Sequence, residues 1–147
     1  MKTFATYLLA VTAIIATSCS KDNSASVSQQ KSNLASGSWV VTYYTDSGKD
    51  ETSDFSGYTF MFNADGTLSA STSSATYNGN WSIKSGSSSS SGYGSGSNDP
   101  DKLVITIAGD KQMTKVSKSW MILKLNSTDI WLSDDNASSG EVLYFAR

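Results

Sequence analysis

The stretch Gly57-Tyr58-Thr59-Phe60-Met61-Phe62-Asn63-Ala64-Asp65-Gly66-Thr67-Leu68-Ser69-Ala70-Ser71-Thr72 decides the fold. Side chains of an extended chain point alternately to opposite faces, so Tyr58, Phe60 and Phe62 share one side of a strand predicted over 57–63. Asp65-Gly66 then supplies the positive φ angles that a tight hairpin needs, and a second strand is predicted over 67–72.

The same alternation recurs on both sides of this hairpin. Trp39, Val41 and Tyr43 fall on one side of a strand over 38–45, Trp81 and Ile83 on one side of 77–84, and Leu103, Ile105 and Ile107 on one side of 102–108. Thr, Ser, Asn and Lys oppose them, which is the pattern of antiparallel sheets with one wet face. Further strands are predicted over 118–125, 128–133 and 141–146. In 118–125, Trp120 and Ile122 alternate with Met121, Leu123 and Leu125, so this strand is central or covered on both sides.

Turn residues separate the runs. Asn126-Ser127 joins two strands, and 133–140, with adjacent Asp134 and Asp135, is a polar stretch suited to turn chemistry. The longest break, 85–101, is Ser and Gly around Tyr93 and reads as a long hairpin loop. Eight strands with mostly short links predict an all-β, up-and-down antiparallel barrel, because closure removes the edges that invite aggregation. A two-sheet β-sandwich is the alternative.

The first residues have a different purpose. Lys2 precedes the apolar run Tyr7 to Ala16, and small residues then lead to Cys19, which is the pattern of a signal peptide over 1–18. That run is about half the ~20 residues that a bilayer-spanning helix requires. Residues 20–36 are mostly Ser, Lys, Gln and Asn, and 19–36 therefore reads as the cysteine plus a flexible tether. The domain proper is expected over 37–147.

Composition excludes several functions. Removing 1–18 takes away Lys2 and no acid, leaving ten basic against 13 acidic side chains and a net charge of −3, so nucleic acid is not an expected partner. The chain has no histidine and its single cysteine is Cys19. Ser-His-Asp and Cys-His catalysis lack their base, and metals lack their commonest nitrogen and sulfur ligands. Neither an enzyme nor a metal or other cofactor is expected.

Two resemblances sharpen the reading. Ala16-Thr17-Ser18-Cys19 resembles the lipobox of bacterial lipoproteins, and Ser20-Lys21-Asp22-Asn23 is similar to the signal that sends lipoproteins of Bacteroidetes-type bacteria to the outer face of the outer membrane. These imply a lipid, such as palmitate, on Cys19 as a membrane anchor, with surface display. Gly37-Ser38-Trp39 resembles the Gly-x-Trp that opens the first strand of lipocalins, and Leu143-Tyr144-Phe145-Ala146-Arg147 supplies the arginine that packs on that tryptophan in the family. With Gly79-Asn80-Trp81, Phe60-x-Phe62-x-x-Asp65-Gly66-Thr67 and Trp120 before Ile122 and Leu123, the chain resembles the lipocalin-like lipoproteins of Bacteroidetes-type bacteria. Gly37, Trp39 and Arg147 are then the implied barrel-closing set.

The resemblance implies a barrel that holds a small hydrophobic ligand, with Tyr43, Tyr58, Phe60, Trp81 and Trp120 as the candidate contacts. Those aromatics are also large enough to fill an eight-stranded barrel themselves. The alternative expectation is a filled barrel that meets an envelope protein or polysaccharide through its loops and through exposed aromatics such as Tyr93 or Trp131.

Overall fold

The computed structural model describes residues 26–86, 99–136 and 138–147. Cys19, residues 1–18 and Tyr93 lie outside them.

Nine strands form one antiparallel sheet: β1 (Ser38–Asp46), β2 (Lys49–Asp50), β3 (Thr59–Phe62), β4 (Thr67–Ser71), β5 (Thr76–Lys84), β6 (Lys102–Ile107), β7 (Ser119–Leu125), β8 (Asp129–Asp134) and β9 (Val142–Ala146). From β3 to β9 each strand pairs with the next, β3 pairs with β1, and β9 returns to pair with β1. Eight strands thus close into an up-and-down barrel, and the sandwich alternative falls because no edge divides the sheet. The ninth strand, β2, is a two-residue flap folded onto the end of β1 through Ser47 (φ 52°) and Gly48 (φ 78°). It is too short to leave a periodic signal.

Two β-bulges alter the facing of side chains. On β1, Val41 opposes Phe145 but Tyr43 opposes Tyr144, so Thr42 is the extra residue. The phase flips there, as one inserted residue must make it do. Val41 and Tyr44 point inward, whereas Tyr43 points out and is 39% exposed. On β7 the extra residue is Leu123, 56% exposed, after which Lys124 opposes Trp131 on the outside and Leu125 packs on the core. The bulge accounts for Leu123 outside and Leu125 inside, whereas Met121, which precedes it, faces out and is half-buried between Lys102 and Ser133.

Helices close both ends. Helix α1 (Val27–Leu34) starts at Ser26, whose hydroxyl accepts from the Gln29 backbone N–H, and it packs against β5 and β7. This corrects the flexible-tether reading for residues 27–34. Leu34 is fully buried, its carbonyl accepts from Trp39 Nε1 at 3.0 Å, and Gln30 Nε2 donates to Asp101 at 2.8 Å. At the other end lie a 3₁₀ turn (Thr52–Phe55) and helix α2 (Lys111–Val116), which bury Phe55, Met113 and Val116. Asp110 caps α2 by accepting from the Met113 N–H at 3.1 Å.

Candidate functional site

At the α1 end, Gly37, Trp39 and Arg147 come together. The Arg147 guanidinium lies 4.1 Å from the centre of the Trp39 ring, within cation–π range. Its Nη2 donates to Asn33 O and Ser36 Oγ, both at 2.6 Å, and Nη1 donates to Ser36 O at 3.3 Å. A Cβ built on Gly37 would sit 3.5–3.7 Å from that guanidinium, at ordinary van der Waals contact, so the residue lies directly against the arginine. Arginine, indole and the last turn of α1 make one floor to the barrel.

The interior is occupied by its own side chains. Trp39, Tyr44, Phe60, Phe62, Trp120 and Phe145 are at 0% exposure. A void wide enough for water would leave accessible area on its walls, so none borders these residues. Phe60 and Phe62 meet Phe145 edge-on at 5.2 and 6.1 Å, and Phe62 meets Trp81 at 5.9 Å, the edge-to-face geometry that aromatic pairs favour. The three interior indoles also spend their N–H groups on the fold: Trp39 on Leu34 O, Trp81 on Asn63 O and Trp120 on Val116 O, all at 2.9–3.0 Å.

The five aromatics predicted to contact a ligand therefore divide. Phe60, Trp81 and Trp120 are buried in the core, Tyr58 is half-buried at the rim, and Tyr43 is on the outside. Trp81 also edges a shallow pocket of about 250 Å³ that is shared with Lys31, Asp65, Gly66 and Ser82 at the α1 end.

The far end carries two clusters of charge that sequence reasoning did not single out. The Tyr58 hydroxyl donates to Asp110, which pushes the phenol up to about 12, and the carboxylate is held low because this bond and the α2 N–H groups outweigh its burial. Beneath α2, Lys115 pairs with Glu51 and lies 5.5 Å from the Tyr44 ring centre. In the second cluster, Lys118 pairs with Glu141 and with Asp134 at 3.4 Å, and the Tyr44 hydroxyl donates to Glu141 at 3.4 Å. Burial pushes the Glu141 carboxyl up, with Asp134 adding to it, while Asp134 overcomes its own burial through hydrogen bonds and is held at about 2.

These groups satisfy one another and tie α2 and the strand ends together. Asp134 also accepts from the Asn136 N–H at 2.9 Å, and Asp135 pairs with Lys102 at 2.7 Å. Asp65 accepts from the Thr67 N–H at 2.9 Å and from its hydroxyl at 2.7 Å, so the hairpin uses this carboxylate for its own turn.

The outer wall holds a row of side chains in register across four neighbouring strands: Tyr43 on β1, Tyr144 on β9, Trp131 on β8 and Lys124 on β7. Tyr43 and Tyr144 are 5.5 Å apart, Tyr144 and Trp131 stack at 5.3 Å and 22°, and Lys124 Nζ lies 4.3 Å from the Trp131 ring centre. Lys124 is neutralised by Asp129 at 3.0 Å.

No family model matches the chain, and none of the curated proteins does. Two solved structures are similar to it. One is a lipocalin-like protein from Bacteroides uniformis, at 18% identity and a TM-score of 0.52, over 78% of this chain and 98% of that one. The other is a DUF4847 family protein from Bacteroides vulgatus, at 16% identity and a TM-score of 0.51, over 77% and 93% respectively. The likeness is one of fold.

Proposed function

We propose, with a lipocalin-like barrel as the premise, that this chain is a non-catalytic lipoprotein, held by lipid on Cys19 at the outer membrane. Its barrel acts by surface contact with an envelope protein or polysaccharide rather than by enclosing a ligand. One observation carries this reading: six inward aromatics, Trp39, Tyr44, Phe60, Phe62, Trp120 and Phe145, are wholly buried, and the helices at both ends add further side chains to the same core. An eight-stranded barrel either holds one small ligand or is filled by its own residues, and here the inward positions are filled.

The likeness to a lipocalin-like structure favours a second reading, in which a small hydrophobic ligand enters the barrel. It requires the α2 end to open, which would break the Tyr58–Asp110 and Lys115–Glu51 contacts. Native mass spectrometry of the mature chain with a pool of lipids, haem-like and aromatic small molecules separates the two. The filled barrel gives no adduct, whereas a discrete adduct with the folded protein overturns it in favour of a calyx.

A further inference from the structure

The outside of the barrel has two unlike halves. The large apolar side chains exposed among the described residues, Val40, Tyr43, Met61, Leu123 and Trp131, all belong to β1, β3, β7 and β8, with Tyr144 of β9 between them. The opposite half, β4 and β5, turns outward Thr67, Ser69, Thr76, Asn78, Asn80 and Ser82. Contiguous apolar patches of this kind mark interaction or membrane surfaces. The ordinary explanation, a cross-strand ladder that strengthens the sheet, accounts for the row of rings. It does not account for Val40, Met61 and Leu123 on the same wall.

We infer that this wall lies on the lipid surface, with Trp131, Tyr144 and Tyr43 at headgroup level and the Thr/Ser/Asn wall turned to solvent. The inference rests on the lipid-anchor reading of Cys19. Seven residues, Ser20 to Ser26, separate that cysteine from α1. Even fully extended they span about 25 Å, less than the roughly 30 Å width of a small domain, so an anchored barrel stays within one domain width of the bilayer. Trp and Tyr favour that interface because a ring buries its body while its polar group stays wet.

Ring geometry argues against a sugar on this wall. A sugar stacks on an open aromatic face, but β8 lies between β7 and β9, so Lys124 covers one face of Trp131 and Tyr144 the other. Outward edges and aliphatic side chains are what the wall offers, and these suit acyl chains and glycerol.

Trp131 makes the inference directly testable, since Trp39, Trp81 and Trp120 are buried at 0–6% exposure and Trp131 is 40% exposed. The full chain, processed in bacteria, is inserted into phosphatidylcholine vesicles and its tryptophan emission is quenched with iodide and, separately, with brominated lipid. The expected result is loss of iodide-accessible emission, quenching by brominated lipid that disappears in Trp131→Phe, and little change on adding salt because Lys124 is already paired with Asp129. Trp131→Phe conserves the aromatic ladder, and an unchanged melting temperature shows that it folds.

An intact mass without an acyl group on Cys19 overturns the anchor reading and the inference together. An acylated chain whose Trp131 stays open to iodide overturns the inference alone. Protection from iodide without quenching by brominated lipid also overturns it, and assigns the wall to a second copy or another protein.

Discussion

Arg147 combines three carbonyl and hydroxyl acceptors with the face of Trp39, and a planar fork does this where an ammonium cannot. Arg147→Ala is expected to lower unfolding free energy by about 1–2 kcal/mol, with Arg147→Lys recovering less than half, as read from urea denaturation. Full recovery by lysine would show that charge alone matters. Glu141 gives the second prediction at this scale. Its carboxyl is raised above the usual 4.5, so the stability it contributes is fully present below 4.5 and declines as pH rises through the raised value. Asp134 has the opposite sign: held at about 2 against a usual 3.8, it stabilises above 3.8 and loses that contribution as pH falls toward 2. Glu141→Gln should match the wild type in melting temperature at acid pH and exceed it increasingly above 4.5. A variant less stable than wild type at neutral pH would mean that the Lys118 pairing outweighs burial.

At the scale of elements, Thr42 is the bulged residue of β1 against β9. Deleting it leaves Tyr43 opposite Tyr144 and Tyr44 opposite Leu143, so both keep their facing and only the bulge is lost, which is expected to cost about 0.5–3 kcal/mol. Thr42→Ala keeps the count of residues and should change stability by less than about 0.5 kcal/mol. Guanidinium unfolding of the two variants separates the contribution of the bulge from that of the threonine side chain. Gly79 gives a related prediction: a Cβ there would run into Thr106 O and Ile107 where β5 meets β6, so Gly79→Ala should cost about 1–3 kcal/mol.

These two positions also show what was legible beforehand. Eight barrel strands, a tight hairpin at Gly66 and the inward set of β3, β5 and β6 could be read because period-2 alternation runs unbroken in those three strands. Of the expected Asp65-Gly66 pair, only Gly66 takes a positive φ. Tyr43 was misplaced because a bulge has no local sequence mark and shifts every later residue of its strand. Helix α1 was missed because its inward positions are only Val27, Gln30 and Leu34, one of them polar. In α2, Asp110 as cap and Met113 with Val116 as the buried pair are present in the sequence, but six residues are too few for a periodic signal. Gly37, Trp39 and Arg147 could be picked out as a group by the resemblance alone, since 110 positions separate the first and last. The clusters around Asp110 and Glu141 unite residues far apart in the chain, and nothing in composition joins them.

Over the whole molecule, the prediction for Cys19→Ser is release of the protein from the membrane fraction, checked by fractionation and intact mass. Retention would remove the anchor from the functional reading. The closing of β9 onto β1 has a further consequence, for the order in which the chain is made. Thr45 pairs with Val142 and Val40 with Ala146, so the first strand synthesised waits for the last. Until residues 142–146 have emerged, the local hairpins from β3 to β8 can pair, but β1 and β8 each present a raw edge able to pair with any neighbouring chain. Removing residues 142–146 should leave both edges open and turn a folded product into an aggregating one.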